Sequence, residues 1–181
     1  MFIEKLNLTA DLNQVTKDLD QILTQAHWDP PVNQISLVHR PGITDIEQKW
    51  RDGVGSLIDN GVRISEEHEF SVLNELVPDY TKQILQELAN HQGIEIGRAR
   101  FMNLQSHKGL SVHKDDSVRY HLVIKTHPHA YIGQSNVGKP IAATCYHLPA
   151  DGYFYKVDTT VRHFVYNGSP ENRIHLVICP R

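Results

Sequence analysis

The stretch SVHKDDSVRYHLVIKT, Ser111 to Thr126, sets His113 and Asp115 two residues apart and runs straight into a strand-like segment that carries Arg119 and His121. In an extended segment that spacing points both side chains to the same side. Two histidines and one carboxylate on one face of a metal leave its other positions open, which suits non-haem Fe(II) centres that activate oxygen. An H-x-D tripeptide alone is a weak signal, better explained by a solvated loop, so the chemistry needs a third ligand and an anchor for a co-substrate. The segment VDTTVRHFVYNGSPENRIHLVICPR offers both: His163 in a strand-like run, and Arg173 ten residues later across a hairpin-like turn. A guanidinium on the strand beside a metal-bound histidine is fitted to hold the far carboxylate of a dicarboxylate through a bidentate pair. The plainer account of Arg173 is a strand-start arginine facing solvent.

The elements that would position these groups follow from periodicity and turn chemistry. Phe2 to Leu8 reads as a short strand, and Asp11 caps a helix with Val15, Leu19, Ile22 and Leu23 on one face. Pro30 and Pro31 break that helix before a strand over Gln34 to His39. From Gly42 to Glu69 the pattern is weak and reads as irregular. A second helix spans about Asp79 to Asn90, with Gly93 at its C-terminal cap. Short strand-like runs then follow: Ile94 to Leu104, Leu110 to His113, Arg119 to Thr126, Ala130 to Gly133, Ile141 to Leu148, Gly152 to Val157, Arg162 to Tyr166 and Arg173 to Ile178. PADG and NGSPEN supply turns between them. Many short strands at this spacing suggest a β-sandwich or barrel, with the earlier helices packed on one face.

Strand alternation leaves two accounts open. Arg173, His175, Val177 and Cys179 share one face of their strand, opposite Ile174, Leu176 and Ile178; Arg119, His121 and Val123 oppose Tyr120, Leu122 and Ile124 in the same way. Either the polar faces meet solvent, or the apolar faces lie under the helices and the polar faces line a cavity.

The totals narrow the class. A chain of 181 residues with 40% apolar residues is long enough to bury a core as a single domain, helical support over about 1–93 and a β core over about 94–181. A net charge of -3 gives no electrostatic reason to expect a nucleic-acid or membrane partner. The two cysteines, Cys145 and Cys179, form no disulfide framework, and the start shows no signal peptide, which together suit a reducing, cytoplasmic setting.

Four segments in order, RARFMNLQSHKGLSVHKDD, RYHLVIKT, LPADGYFYKVDTTVRHFVYNGS and NRIHLVICP, resemble the aspartyl/asparaginyl β-hydroxylase-like family of 2-oxoglutarate- and Fe(II)-dependent oxygenases, covering most of residues 97 to 180. The resemblance implies an α+β, mainly β fold: a double-stranded β-helix (jelly-roll, cupin-like) barrel with the N-terminal helices on one sheet. It implies His113, Asp115 and His163 as Fe(II) ligands, Arg173 for the distal carboxylate of 2-oxoglutarate, and His121, assisted by Arg119, as a co-substrate contact. Asn167 matches a family asparagine read as stabilising the turn after the ligand strand. Some family members lack the carboxylate ligand; Asp115 is present here, so the full triad is expected.

The implied reaction consumes O2 and 2-oxoglutarate, releases succinate and carbon dioxide, and hydroxylates a carbon of a free or peptidyl amino acid resembling Asp, Asn or Pro. A cupin-like metal isomerase or hydrolase, or a carboxylate-binding module without oxygenase activity, are the rival expectations. The isomerase or hydrolase would use no keto acid and would not need Arg173 beside the metal. The other histidines carry plainer readings: His127 and His129 a loop beside Pro128, His175 a hydrogen-bonded interior side chain. Trp28 and Trp50 read as packing residues, Arg40 and Arg51 as solvated ones.

Overall fold

A computed structural model of the chain describes residues 1–136 and 142–181. The elements run β1 (Ile3–Thr9), α1 (Leu12–Ile22), β2 (Gln34–Ser36), β3 (Val38–His39), α2 (Ile46–Arg51), β4 (Ile58–Asp59), β5 (Val62–Arg63), a 3-10 turn (Glu67–Glu69), β6 (Val72–Leu73) and α3 (Asp79–Gln92). Eight strands follow: β7 (Ile96–Leu104), β8 (Gly109–His113), β9 (Arg119–Lys125), β10 (Ala130–Asn136), β11 (Ala142–Tyr146), β12 (Tyr153–Val157), β13 (His163–Asn167) and β14 (Arg173–Pro180). The structure is mainly β with few helices. The run expected over Ile141 to Leu148 corresponds to β11, with Ile141 outside the described residues.

Two antiparallel sheets carry the fold. A six-stranded sheet has the order β1-β12-β9-β14-β7-β2, and a four-stranded sheet the order β11-β10-β13-β8. The N-terminal part is therefore more than helical support, since β1 and β2 are the outer strands of the larger sheet. Chain order explains the residues on each face. Leu122, Leu176, Phe101 and Phe154 join Val15, Leu19 and Ile22 of α1 and Ile84, Leu85 and Leu88 of α3 in one buried apolar cluster. The opposite face of the larger sheet contributes Val123, Tyr155 and Val157 to a second cluster shared with Ile132 and Val165 of the smaller sheet. Burying such side chains contributes about 1.5–3 kcal/mol each. The second cluster lies between the sheets, on the side of the larger sheet that carries His121, Arg173 and His175.

That settles the alternation. Arg119 (5% exposed), His121 (6%), Arg173 (6%) and His175 (0%) are all withdrawn from solvent. A polar strand face is turned inward, and the apolar face is covered by cluster residues of α1 and α3.

Local signals account for the helices. The Asp11 carboxylate accepts from the amides of Asn13 and Gln14 at the start of α1, and Gly93 ends α3 in the left-handed region at φ 63°. The segment read as irregular, Gly42 to Glu69, is more ordered than expected. It holds α2, capped by Asp45 onto the amide of Gln48, and the β4–β5 hairpin. Trp50 of α2 is buried at 2% exposure, as a packing residue would be. Arg40 and Arg51, expected in solvent, are instead paired with Asp52 and Asp29. Among the described residues no helix is long and apolar enough to cross a membrane.

Candidate metal and co-substrate site

His113 ends β8 and His163 begins β13, and the two are directly opposite in the antiparallel ladder. Cross-strand pairing therefore sets the rings side by side, with centroids 4.2 Å apart. The strand stops at His113, and the backbone then turns so that the Asp115 amide donates to the Thr159 carbonyl at 2.8 Å. This tether brings the Asp115 carboxylate under both rings: Oδ1 lies 3.9 Å from His113 Nε2 and Oδ2 3.8 Å from His163 Nε2. Ligand-type atoms of His113, Asp115 and His163 all fall within 4.8 Å of one another.

The tautomers fit metal binding. His113 Nδ1 lies 2.7 Å from the Ser111 carbonyl, and His163 Nδ1 lies 3.0 Å from the Val161 carbonyl. A carbonyl can only accept, so each Nδ1 carries the proton and each Nε2 presents its lone pair to the shared space. Burial pushes the His163 imidazole below its ordinary range, outweighing the Val161 hydrogen bond and Asp115, which act to raise it. Two neutral imidazole nitrogens and one carboxylate are a donor set that fits Fe(II).

A second group occupies the inward face of β9 and β14. Arg173 Nη2 donates to His175 Nδ1 at 3.1 Å, and His175 Nδ1 lies 3.3 Å from His121 Nδ1. With His175 Nδ1 accepting from the arginine, the proton between the rings belongs to His121. Both imidazoles are driven well below the usual histidine range, first by burial and then by the charge of Arg173. Burial alone pushes Arg173 down to about 9, so it stays cationic at neutral pH. Among the described residues it has no carboxylate partner, and His121 Nε2 and His175 Nε2 are buried without a hydrogen bond. With His121 protonated at Nδ1, its Nε2 is a lone pair, so Arg173 and the His175 Nε2–H are the donors here that could meet an anion.

Arg119 lies elsewhere, against Asp115 and a residue that sequence reasoning missed. Its Nε is 3.3 Å from Asp115 Oδ2, while Nη2 donates to Glu67 at 3.0 Å and Nη1 to the Ser117 hydroxyl at 2.6 Å. Glu67 also receives Arg98 through Nε at 2.9 Å and Nη2 at 2.6 Å. Burial pushes the Glu67 carboxyl up, but the Arg98 hydrogen bonds and the charges of Arg98, Arg119 and Arg100 hold it below the usual range. Gly53 makes room for Arg98: at φ 82° it adopts the left-handed region, and a Cβ there would meet the Phe70 ring at 2.8 Å. Its carbonyl accepts from Arg98 Nη1 at 3.2 Å. Arg100, one strand pitch further, is buried against Gln34, the Gly55 carbonyl and the Cys179 thiol. An open cleft of about 450 Å³ adjoins this group, lined by Arg63, Glu66, Glu67, Asp116 and Ser117 among others.

Other expectations resolve simply. Asn167 is fully buried; its amide donates to the carbonyls of Leu104, Gln105 and Glu171, and its oxygen accepts from Ser169. It therefore knots the turn between β13 and β14. His127 and His129 meet edge to face in the loop before β10.

No curated protein matches the sequence significantly. A 2OG-Fe(II) oxygenase family oxidoreductase from Burkholderia pseudomallei is similar in structure, with 12% identity, 98% of this chain and 82% of that one covered, and a TM-score of 0.57. IDO from Bacillus thuringiensis gives 12% identity, coverage of 99% and 93%, and a TM-score of 0.55. A Pseudomonas putida prolyl-4-hydroxylase gives 10% identity, coverage of 99% and 92%, and a TM-score of 0.51. At such identities the likeness is one of fold. The family profile described as Aspartyl/Asparaginyl beta-hydroxylase matches residues 9–179, and the chain belongs to that family of oxygenases.

Proposed function

We propose that the protein is a 2-oxoglutarate- and Fe(II)-dependent dioxygenase that hydroxylates a carbon of a free or peptidyl amino acid resembling Asp, Asn or Pro. The observation that carries this reading is the convergence of His113 Nε2, His163 Nε2 and the Asp115 carboxylate within 4.8 Å, a donor set that leaves one face of a metal open. The two sheets are read as a double-stranded β-helix, with the ligand residues at one end of the space between them and α1 and α3 on the outer face of the larger sheet.

In this reading His113, Asp115 and His163 hold Fe(II), which, when bound with 2-oxoglutarate, supplies the activation of O2. The chain's own part is to bind and orient. Arg173 receives the distal carboxylate of 2-oxoglutarate, whose charge offsets that of the buried guanidinium. His121, neutral and held by His175, is placed to contact the same co-substrate. Arg119 acts at the metal end through Asp115. Closing the two sheets over these groups keeps bulk water from an arginine and two histidines that would otherwise be hydrated. The likeness to a prolyl-4-hydroxylase supports an amino-acid carbon as the site of reaction. The free thiols of Cys145 and Cys179 fit a reducing, cytoplasmic setting. No nucleic-acid or membrane partner is proposed.

The test is anaerobic addition of Fe(II) and 2-oxoglutarate, followed by the visible charge-transfer band of a chelated keto acid. Succinate formation is then measured across free amino acids and short peptides. A protein that binds Fe(II) but gives neither the band nor succinate is not this enzyme.

A further inference from the structure

Glu67 belongs to a short 3-10 turn in the part of the chain that carries none of the metal-site motifs. Yet its carboxylate reaches two buried arginines of different strands, Arg98 of β7 and Arg119 of β9. The side chains of both arginines are 6% exposed and that of Glu67 is 11%. Such a buried, doubly paired carboxylate is costly to assemble and strongly directional. What it directs is the guanidinium of Arg119.

Arg119 has a fork of donors and an acceptor, Asp115, within reach of it. The preferred geometry of an arginine and a carboxylate is two parallel N–H···O bonds. Here that closure does not occur. Nη2 is committed to Glu67 and Nη1 to Ser117, so only Nε faces Asp115, as an ion-pair contact 3.3 Å from Oδ2. Asp115 Oδ1 is left toward His113 Nε2. A carboxylate gripped by a full guanidinium fork would have its lone pairs occupied; one touched by a single N–H keeps them available.

We propose that Glu67 is a positioning residue that holds Arg119 away from bidentate closure on Asp115 and so keeps that carboxylate free to bind a divalent metal. The inference rests on Asp115 being a metal ligand. Charge acts in the same direction: Arg98, Arg100 and Arg119 gather at this end of the site against Glu67 and Asp115. Loss of Glu67 would leave three guanidinium groups facing one carboxylate.

The experiment is a substitution cycle on the full chain, read by Mn(II) binding from the loss of the free-ion paramagnetic resonance signal, so that no turnover is involved. Glu67→Gln is expected to weaken Mn(II) binding about three- to tenfold, a share of the ten- to hundredfold effect usual for groups that orient a ligand. In an Arg119→Lys background the same substitution should change affinity less than twofold, because an ammonium has no fork with which to close on Asp115. Equal weakening in both backgrounds, or a lower melting temperature with unchanged Mn(II) affinity, would show that Glu67 only anchors its turn and would overturn the proposal. Should Glu67→Gln fail to fold, Glu67→Asp carries the same cycle, keeping the charge while falling short of the second arginine. Wild-type protein that binds no Mn(II), or an Asp115→Ala variant that binds it as tightly as wild type, would remove the metal-site reading itself, and this inference with it.

Discussion

The carboxylate of Asp116 pairs with Arg63 at 2.8 Å and stands outside the cluster of His113, Asp115 and His163, while its neighbour Asp115 lies within 3.9 Å of both rings. Two adjacent acids thus have separate destinations. Asp115→Ala should weaken Fe(II) binding and cut turnover by about tenfold or more, while Asp116→Ala should leave both within about twofold of wild type. Anaerobic Fe(II) titration of the two purified variants, followed by succinate measurement, checks this. A silent Asp115→Ala beside a damaging Asp116→Ala would reverse the ligand assignment.

His113→Ala and His163→Ala should each abolish Fe(II)-dependent turnover, a loss on the order of a hundredfold or more. Both variants should remain folded, because β8 and β13 pair through their backbones and not through the rings. Circular dichroism and thermal melting check the fold, and succinate release checks the activity. Normal turnover in either variant is incompatible with the proposed triad.

Arg173→Ala should raise the Michaelis constant for 2-oxoglutarate by about ten- to a hundredfold, the equivalent of about 1.5–3 kcal/mol for a charge-assisted pair. Arg173→Lys should recover part of the loss, since it restores a charge without the fork. Steady-state kinetics with 2-oxoglutarate as the varied co-substrate reads both. An unchanged dependence would mean that another group holds that carboxylate.

His121 and His175 predict a pH dependence of stability in the metal-free protein. Burial and the charge of Arg173 hold both folded-state imidazoles well below the ordinary range. In the unfolded chain they titrate near 6.5, as free histidines do, to about a unit. Below that pH the unfolded state binds more protons than the folded one, so stability is fully present above about 6.5 and falls as pH drops. The slope should approach about 1.4 kcal/mol per pH unit for each ring. Urea denaturation between pH 5 and 8, with His175→Gln as a comparison that loses part of the slope, measures it.

Asn167→Ala should destabilise the fold by about 3 kcal/mol, because a fully buried side chain loses its hydrogen bonds to three part-buried carbonyls and from Ser169. Chemical denaturation gives the value directly. An effect under about 1 kcal/mol would mean that water or a neighbour replaces the amide.

Much of the site was legible because strands advertise which side chains share a face. His121 with Arg119, and Arg173 with His175, are separated by single residues, and the apolar residues between them mark the covered side. The same alternation in GRARF holds Arg98 and Arg100, which could have been found by the reasoning applied to RYHLV. Glu67 could not. It lies in a segment without periodicity, and its partners are 31 and 52 residues away in sequence. Nor was α2 visible, since six residues are too few to display a helical period and Trp50 alone marks its buried side. Both β1 and β2 were readable as strands, but their short runs give no hint of the strands that they join.

The outer positions of β1 and β2 in the larger sheet have a consequence for how the chain can be cut. Between them lie β12, β9, β14 and β7, all from the second half of the sequence. A fragment starting near residue 94 would expose backbone donors and acceptors of β12 on one side and of β7 on the other that the whole chain pairs. Unprotected strand margins of this kind recruit other chains. The motif-bearing half therefore contains nearly all the chemistry but lacks the two strands that cover those margins.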